Sequence, residues 1–133
     1  MMALPYLPQQ GEILVCDFDD LALGAEMIKR RPVVVVSRHD AHRSQLCTVV
    51  ALSTTPPKLP KPWHYYMEHV RVTGWEAPNG VWAKCDMLAT VSLERLNKPY
   101  IKLRSGRNFV AHSLSLVDMA AVLKCIRALM QMP

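Results

Sequence analysis

The residues best suited to chemistry gather at the edges of apolar runs. Arg31 stands before Pro32 and the unbroken stretch Val33-Val34-Val35-Val36. A guanidinium is a planar fork of donors that fits a phosphate bidentately, and a loop-to-strand junction would hold it rigidly; the alternative is an ordinary surface arginine ahead of a strand. Arg30 places a second cation beside it for an anionic substrate. Asp86 follows the apolar stretch Val81-Trp82-Ala83, with Lys84 two positions earlier. In a strand, period-two geometry points both side chains to one face and makes an acid-base pair. Ser53 and Thr54 end another apolar run, where hydroxyls either bind a phosphate or bond the local backbone. Glu26, upstream of Arg31, could orient the guanidinium or accept a proton, or simply be solvated.

The histidines form no recognisable metal set. His39 and His42 share a loop with Asp40, and nothing supplies the remaining ligands at a metal-site spacing. His64 and His69 flank Tyr65 and Tyr66 next to Trp63, a segment that could stack unpaired bases if exposed or pack a core strand if not. Cys16, Cys47, Cys85 and Cys125 lie in apolar runs at wide intervals and match neither a Cys-x-x-Cys zinc site nor a secreted disulfide framework. They read as reduced core residues, and neither metal nor cofactor is expected.

Strands and one helix must position these groups. Residues 11–18 and 31–37 read as core strands around a long charged loop, and loops of that length in compact domains are commonly functional. Further strands are expected at 46–54, 64–72 and 81–91, with a stiff Pro-rich surface loop at 54–62. Residues 92–96 could form one helical turn. A hairpin pairing 100–103 with 109–112 across a turn at 104–108 is expected next. Ser115 can cap a helix on which Met119, Val122, Leu123, Ile126, Leu129 and Met130 repeat at helical spacing. Several strands followed by one amphipathic helix predict a mainly β fold, a small bent antiparallel sheet or barrel closed by that helix.

The 133 residues, half of them apolar, fit one domain spanning 1–133 that can bury a core without metals or disulfides. The formal net charge of +5 favours a polyanionic partner. Cations cluster at Lys29-Arg30-Arg31 and again at Lys98, Lys102, Arg104 and Arg107. No apolar stretch is long enough for a transmembrane helix, and the N-terminus lacks the pattern of a signal peptide, so a cytoplasmic protein with no membrane partner is expected.

The order Gly11-Glu12-Ile13, Asp17-Phe18, Glu26, Arg31-Pro32, then Leu46 to Thr54 and Val81-Trp82-Ala83-Lys84-Cys85-Asp86, resembles the MazF/PemK toxins of bacterial toxin-antitoxin pairs. That resemblance implies an SH3-like small barrel of the MazF/PemK/CcdB toxin type. It implies a metal-independent endoribonuclease toxin that cuts single-stranded RNA by 2′-hydroxyl attack, inhibiting translation and growth. The match would make Arg31 a catalytic residue, Asp86 or Glu26 the base, Lys84 the acid, and Ser53, Thr54 and Arg30 substrate contacts. Two family arginines are replaced, by Lys84 and by Ala89. The resemblance also implies a homodimer and a cognate antitoxin with a disordered acidic tail. Two other readings stand beside it: a gyrase-poisoning toxin, for which the C-terminal aromatic residue is missing, and a barrel that binds nucleic acid or antitoxin without cutting.

Overall fold

The computed structural model describes residues 4–18, 30–39, 45–75 and 79–131. Its strands are β1 (Glu12–Asp17), β2 (Arg30–Val35), β3 (Leu46–Ser53), β4 (His64–Met67), β5 (Val81–Ser92), β6 (Leu96–Asn97), β7 (Tyr100–Leu103), β8 (Gly106–Phe109) and β9 (His112–Ser113). A 3-10 turn, Leu93–Arg95, follows β5, and helix α1 (Leu116–Leu129) comes last. The main sheet runs β4-β5-β3-β2-β1-β6, and β9 also pairs with β1. All these pairings are antiparallel. Because β6 takes one end of β1's outer edge and β9 the other, the sheet curls into a half-barrel.

Both faces of the central strands are buried, which explains why they read as unbroken apolar runs rather than as alternating ones. Val34, Val50, Leu52, Ala83 and Cys85 pack with Met67 and with Met119, Val122 and Cys125 of α1. Their neighbours Val33, Val35, Cys47, Val49 and Val91 face the other way, onto Leu4, Leu14, Cys16, Leu93 and Leu96. Each fully buried side chain of this size contributes roughly 1.5–3 kcal/mol. All four cysteines are buried and unbridged, as the sequence predicts. Burial pushes the Cys16 and Cys85 thiols up to about 12 and Cys47 up to about 11, so these three are not thiolates at neutral pH. Among the described residues no helix is long and apolar enough to cross a membrane.

Three expectations shift in detail. β4 stops at Met67 rather than continuing to residue 72. The hairpin turns at Arg104 and Ser105 alone, since Leu103 pairs with Gly106 and Tyr100 with Phe109; a φ of +127° at Gly106 is what permits so tight a reversal. On α1, Cys125 faces the core, while Met130 is largely exposed.

The helix is fastened to the sheet by a buried carboxylate. Ser115 caps α1, its hydroxyl accepting from the Asp118 N–H at 3.1 Å. Asp118, only 3% exposed, accepts from the Tyr65 hydroxyl of β4 at 2.8 Å and lies 2.8 Å from Nε2 of His69. Burial pushes its carboxyl up, but the hydrogen bonds from Tyr65 and His69, the His69 charge and Ser115 together hold it below its ordinary value. A depressed folded-state pKa adds stability that is complete above the unfolded value and is lost as pH falls through the folded one. Asp118→Asn should therefore lower unfolding free energy by roughly 1–2 kcal/mol at pH 7. Urea titrations from pH 7 down to pH 2 should show the gap closing only below the ordinary carboxylate value of 3.8.

Candidate active site

Strand register gathers three of the expected residues. Val33 pairs with Ala51, and Ala51 with Lys84. Arg31 lies two positions before Val33 and Ser53 two positions after Ala51, so alternation puts Arg31, Ser53 and Lys84 on one face at one end of the sheet. Together with Ala51, Leu52 and Met87 they line a cleft of about 150 Å³.

Lys84 reaches this face because of an irregularity in β5. Val50 pairs with Leu88 but the next residue, Ala51, pairs with Lys84, leaving Cys85, Asp86 and Met87 without partners on β3. Such a bulge bends its strand and re-aims its side chains. Cys85 turns into the core, its N–H donating to the Trp63 carbonyl at 3.1 Å. Asp86 turns outward and remains about half exposed, with Oδ1 3.4 Å from Nε2 of His64.

His64 is the site residue that motif reading did not assign. It pairs with Lys84 across β4 and β5, and its side chain is 8% exposed. Its Nδ1 accepts from the Lys61 N–H at 3.0 Å. In the neutral ring this leaves the proton on Nε2, facing the Asp86 carboxylate. The aromatic segment was visible in the sequence; its position opposite Lys84 depends on strand pairing.

The other expected residues are placed differently. The Ser53 hydroxyl closes a local turn, accepting from the Thr55 N–H at 3.1 Å and donating to the Thr55 carbonyl at 3.2 Å. Thr54 is exposed beyond the strand end and does not line the cleft. Arg30 projects to the opposite face from Arg31, where its Nη1 donates to the Tyr100 hydroxyl at 2.8 Å. Glu26 lies outside the described residues, as does His42. Farther along the cleft face, the rings of Tyr66 and Trp82 sit 5.0 Å apart. Two cations beside a hydroxyl, a half-exposed carboxylate and an imidazole suit the binding of an anion next to a proton acceptor.

A mainly antiparallel half-barrel closed by one C-terminal helix is the small-barrel architecture of the MazF/PemK type, as similarity to MazF from Deinococcus radiodurans shows. That structure is 17% identical, with a TM-score of 0.69 and coverage of 96% of this chain and 99% of the other. The chain belongs to the PemK-like, MazF-like toxins of type II toxin-antitoxin systems, whose family description matches residues 9–130. It is also similar to an endoribonuclease from a mycobacterial species solved with its cognate antitoxin, at 16% identity, a TM-score of 0.61 and 96% coverage of each chain. Among curated sequences, YifN of Escherichia coli K12 is 30% identical over 96% of this chain and 97% of its own length.

The Lys61 bond fixes a testable tautomer. Long-range nitrogen-proton NMR on the neutral His64 ring should find the proton on Nε2, and Lys61→Pro, which removes the donor, should mix the tautomers.

Proposed function

We propose that the protein is the toxin of a type II pair and acts as a metal-independent endoribonuclease on single-stranded RNA. The observation that carries this reading is the convergence of Arg31, Ser53 and Lys84 on one cleft in a chain of this family. The 2′-oxygen attacks phosphorus and the P–O5′ bond breaks, leaving a 2′,3′-cyclic phosphate and a 5′-hydroxyl. Arg31 binds the phosphoryl oxygens and offsets the charge that develops on them. Asp86 or Glu26 takes the 2′-hydroxyl proton. The Nε2–H of His64 orients Asp86, and the Lys84 ammonium protonates the departing 5′-oxygen. Ser53 holds the phosphate through its hydroxyl, while Thr54 and Arg30 contact flanking nucleotides.

The working unit is a homodimer, and the partner is an antitoxin whose acidic tail competes for the same cationic surface. Complementary charge supports this pairing, since the chain carries a formal +5. A solved relative is itself held by its cognate antitoxin. Growth arrest follows from cleavage of mRNA.

A binding-only barrel is the second reading. Lys84 lacks the bidentate fork of an arginine, and the Ser53 hydroxyl is already engaged in its own turn.

Incubation of purified protein with a long single-stranded RNA in EDTA separates the two. Discrete cuts with 5′-hydroxyl ends are expected, and Arg31→Ala should slow them by roughly 10²–10³-fold. Bound but intact RNA would leave the binding-only barrel.

A further inference from the structure

We propose that Trp75, Tyr100 and Arg30 form a pocket for one unpaired nucleobase of the RNA, on the opposite face of β2 from the Arg31 cleft; this rests on the ribonuclease reading above. The cavity measures about 320 Å³ and is lined by Val15, Arg30, Gly74, Trp75 and Tyr100. That is near the lower end of ligand pockets, roughly 300–1,000 Å³, and suits one flat ring system rather than a peptide segment. The Trp75 indole, which also packs against the core, and the Tyr100 phenol border this space, and a guanidinium stacks on a base as well as on a protein ring.

The pocket is built rather than fortuitous. Arg30 Nη1 donates to the Tyr100 hydroxyl at 2.8 Å, and its Cζ lies 5.1 Å from the centre of that ring. Arg107, from the other strand of the hairpin, sits 4.6 Å from the same ring, and Phe109 packs at 5.6 Å. Gly74, at φ +92°, lets the turn before Trp75 approach so closely that a Cβ there would lie 3.4 Å from the Tyr100 carbonyl. The Val110 N–H closes the base of the hairpin on the Pro99 carbonyl at 2.8 Å.

The surroundings are cationic. The hydrogen bond from Arg30 holds the Tyr100 phenol below its ordinary value against the opposing effect of burial, with the charges of Arg30, Arg107 and Lys102 adding to it. Stacking rings set among cations are the composition that single-stranded nucleic acid selects. The hairpin is otherwise exposed along both strands, Ile101, Leu103 and Phe109 included. Arg30 and Arg31 are adjacent at the start of β2, so a strand of RNA crossing that end of the sheet can seat a phosphate at one and a neighbouring base at the other.

The test uses fluorescence anisotropy with short single-stranded oligonucleotides, 2′-O-methylated at every ribose so that 2′-hydroxyl attack is blocked. Tyr100→Ala should weaken binding by roughly tenfold, whereas Tyr100→Phe, which keeps the ring, should bind nearly as the parent. Abasic replacement at each position in turn should locate one nucleotide whose base matters to the parent but not to Tyr100→Ala. A flat abasic scan in a protein that cuts RNA would overturn the pocket and leave the ribonuclease standing. A Tyr100-dependent base preference in a protein that cuts nothing would keep the pocket and sink the ribonuclease. Absence of any oligonucleotide binding would overturn the pocket, and RNA left intact as well would remove the ribonuclease. Tyr100-dependent capture of an acidic peptide, with oligonucleotide binding indifferent to Tyr100, would overturn the pocket in favour of a protein-docking surface.

Discussion

Everything at the cleft depends on the register break in β5. On either side of the break the strand pairs regularly with β3, and Leu88 and Ala83 both face the core beneath α1. An uninterrupted strand would place Lys84 on the same face as Leu88, because residues four apart point alike. The three extra residues, Cys85 to Met87, are an odd number and reverse that parity. Lys84 consequently lies beside Ala51 on the face it shares with Arg31 and Ser53, while Cys85 stays buried. One local irregularity thus reconciles a close-packed core with a cationic surface on a single strand.

Double-sided burial imposes a second constraint. With apolar side chains filling both faces of β2 and β3, charged residues are tolerated only at strand ends, since burying an unpaired charge is costly. Arg30, Arg31 and Ser53 occupy such ends. Alternation then sends the two neighbouring arginines to opposite faces, one to the cleft with Lys84 and one to Tyr100. A run of cations that looks like one patch in the sequence becomes two separate surfaces.

Residue patterns disclosed what local rules determine. The Val-rich run before Ser37 reads directly as β2, and Ser115 followed by a helical repeat gives α1 and its cap. The Arg31, Ser53 and Lys84 positions could be picked out because each borders an apolar run. His64 could not be linked to Asp86, because the link runs through β4–β5 pairing and through a bulge that no period reveals. The hairpin shows the same limit on a smaller scale. Ser105, Gly106 and Asn108 are all turn-forming residues, and only the pairing of Leu103 with Gly106 decides that Arg104 and Ser105 form the turn. For Ser53 the local backbone bond was one of the two readings that its place at a strand end offered, and it is the one the structure shows.

Lys84, where the resemblance to the family implies an arginine, gains a physical meaning from the neighbours the structure gives it. An arginine would bind phosphate through a fork but releases its proton with great difficulty, whereas an ammonium is a point charge with a more accessible proton. Lys84 stands opposite His64, whose Nε2 lies 3.4 Å from Oδ1 of Asp86. The imidazole is held through Nδ1 by the Lys61 N–H, which fixes Nε2 toward Asp86. In the proposed reaction this arrangement leaves the carboxylate able to accept a proton and the ammonium able to give one, with Arg31 supplying the bidentate phosphate contact that Lys84 lacks.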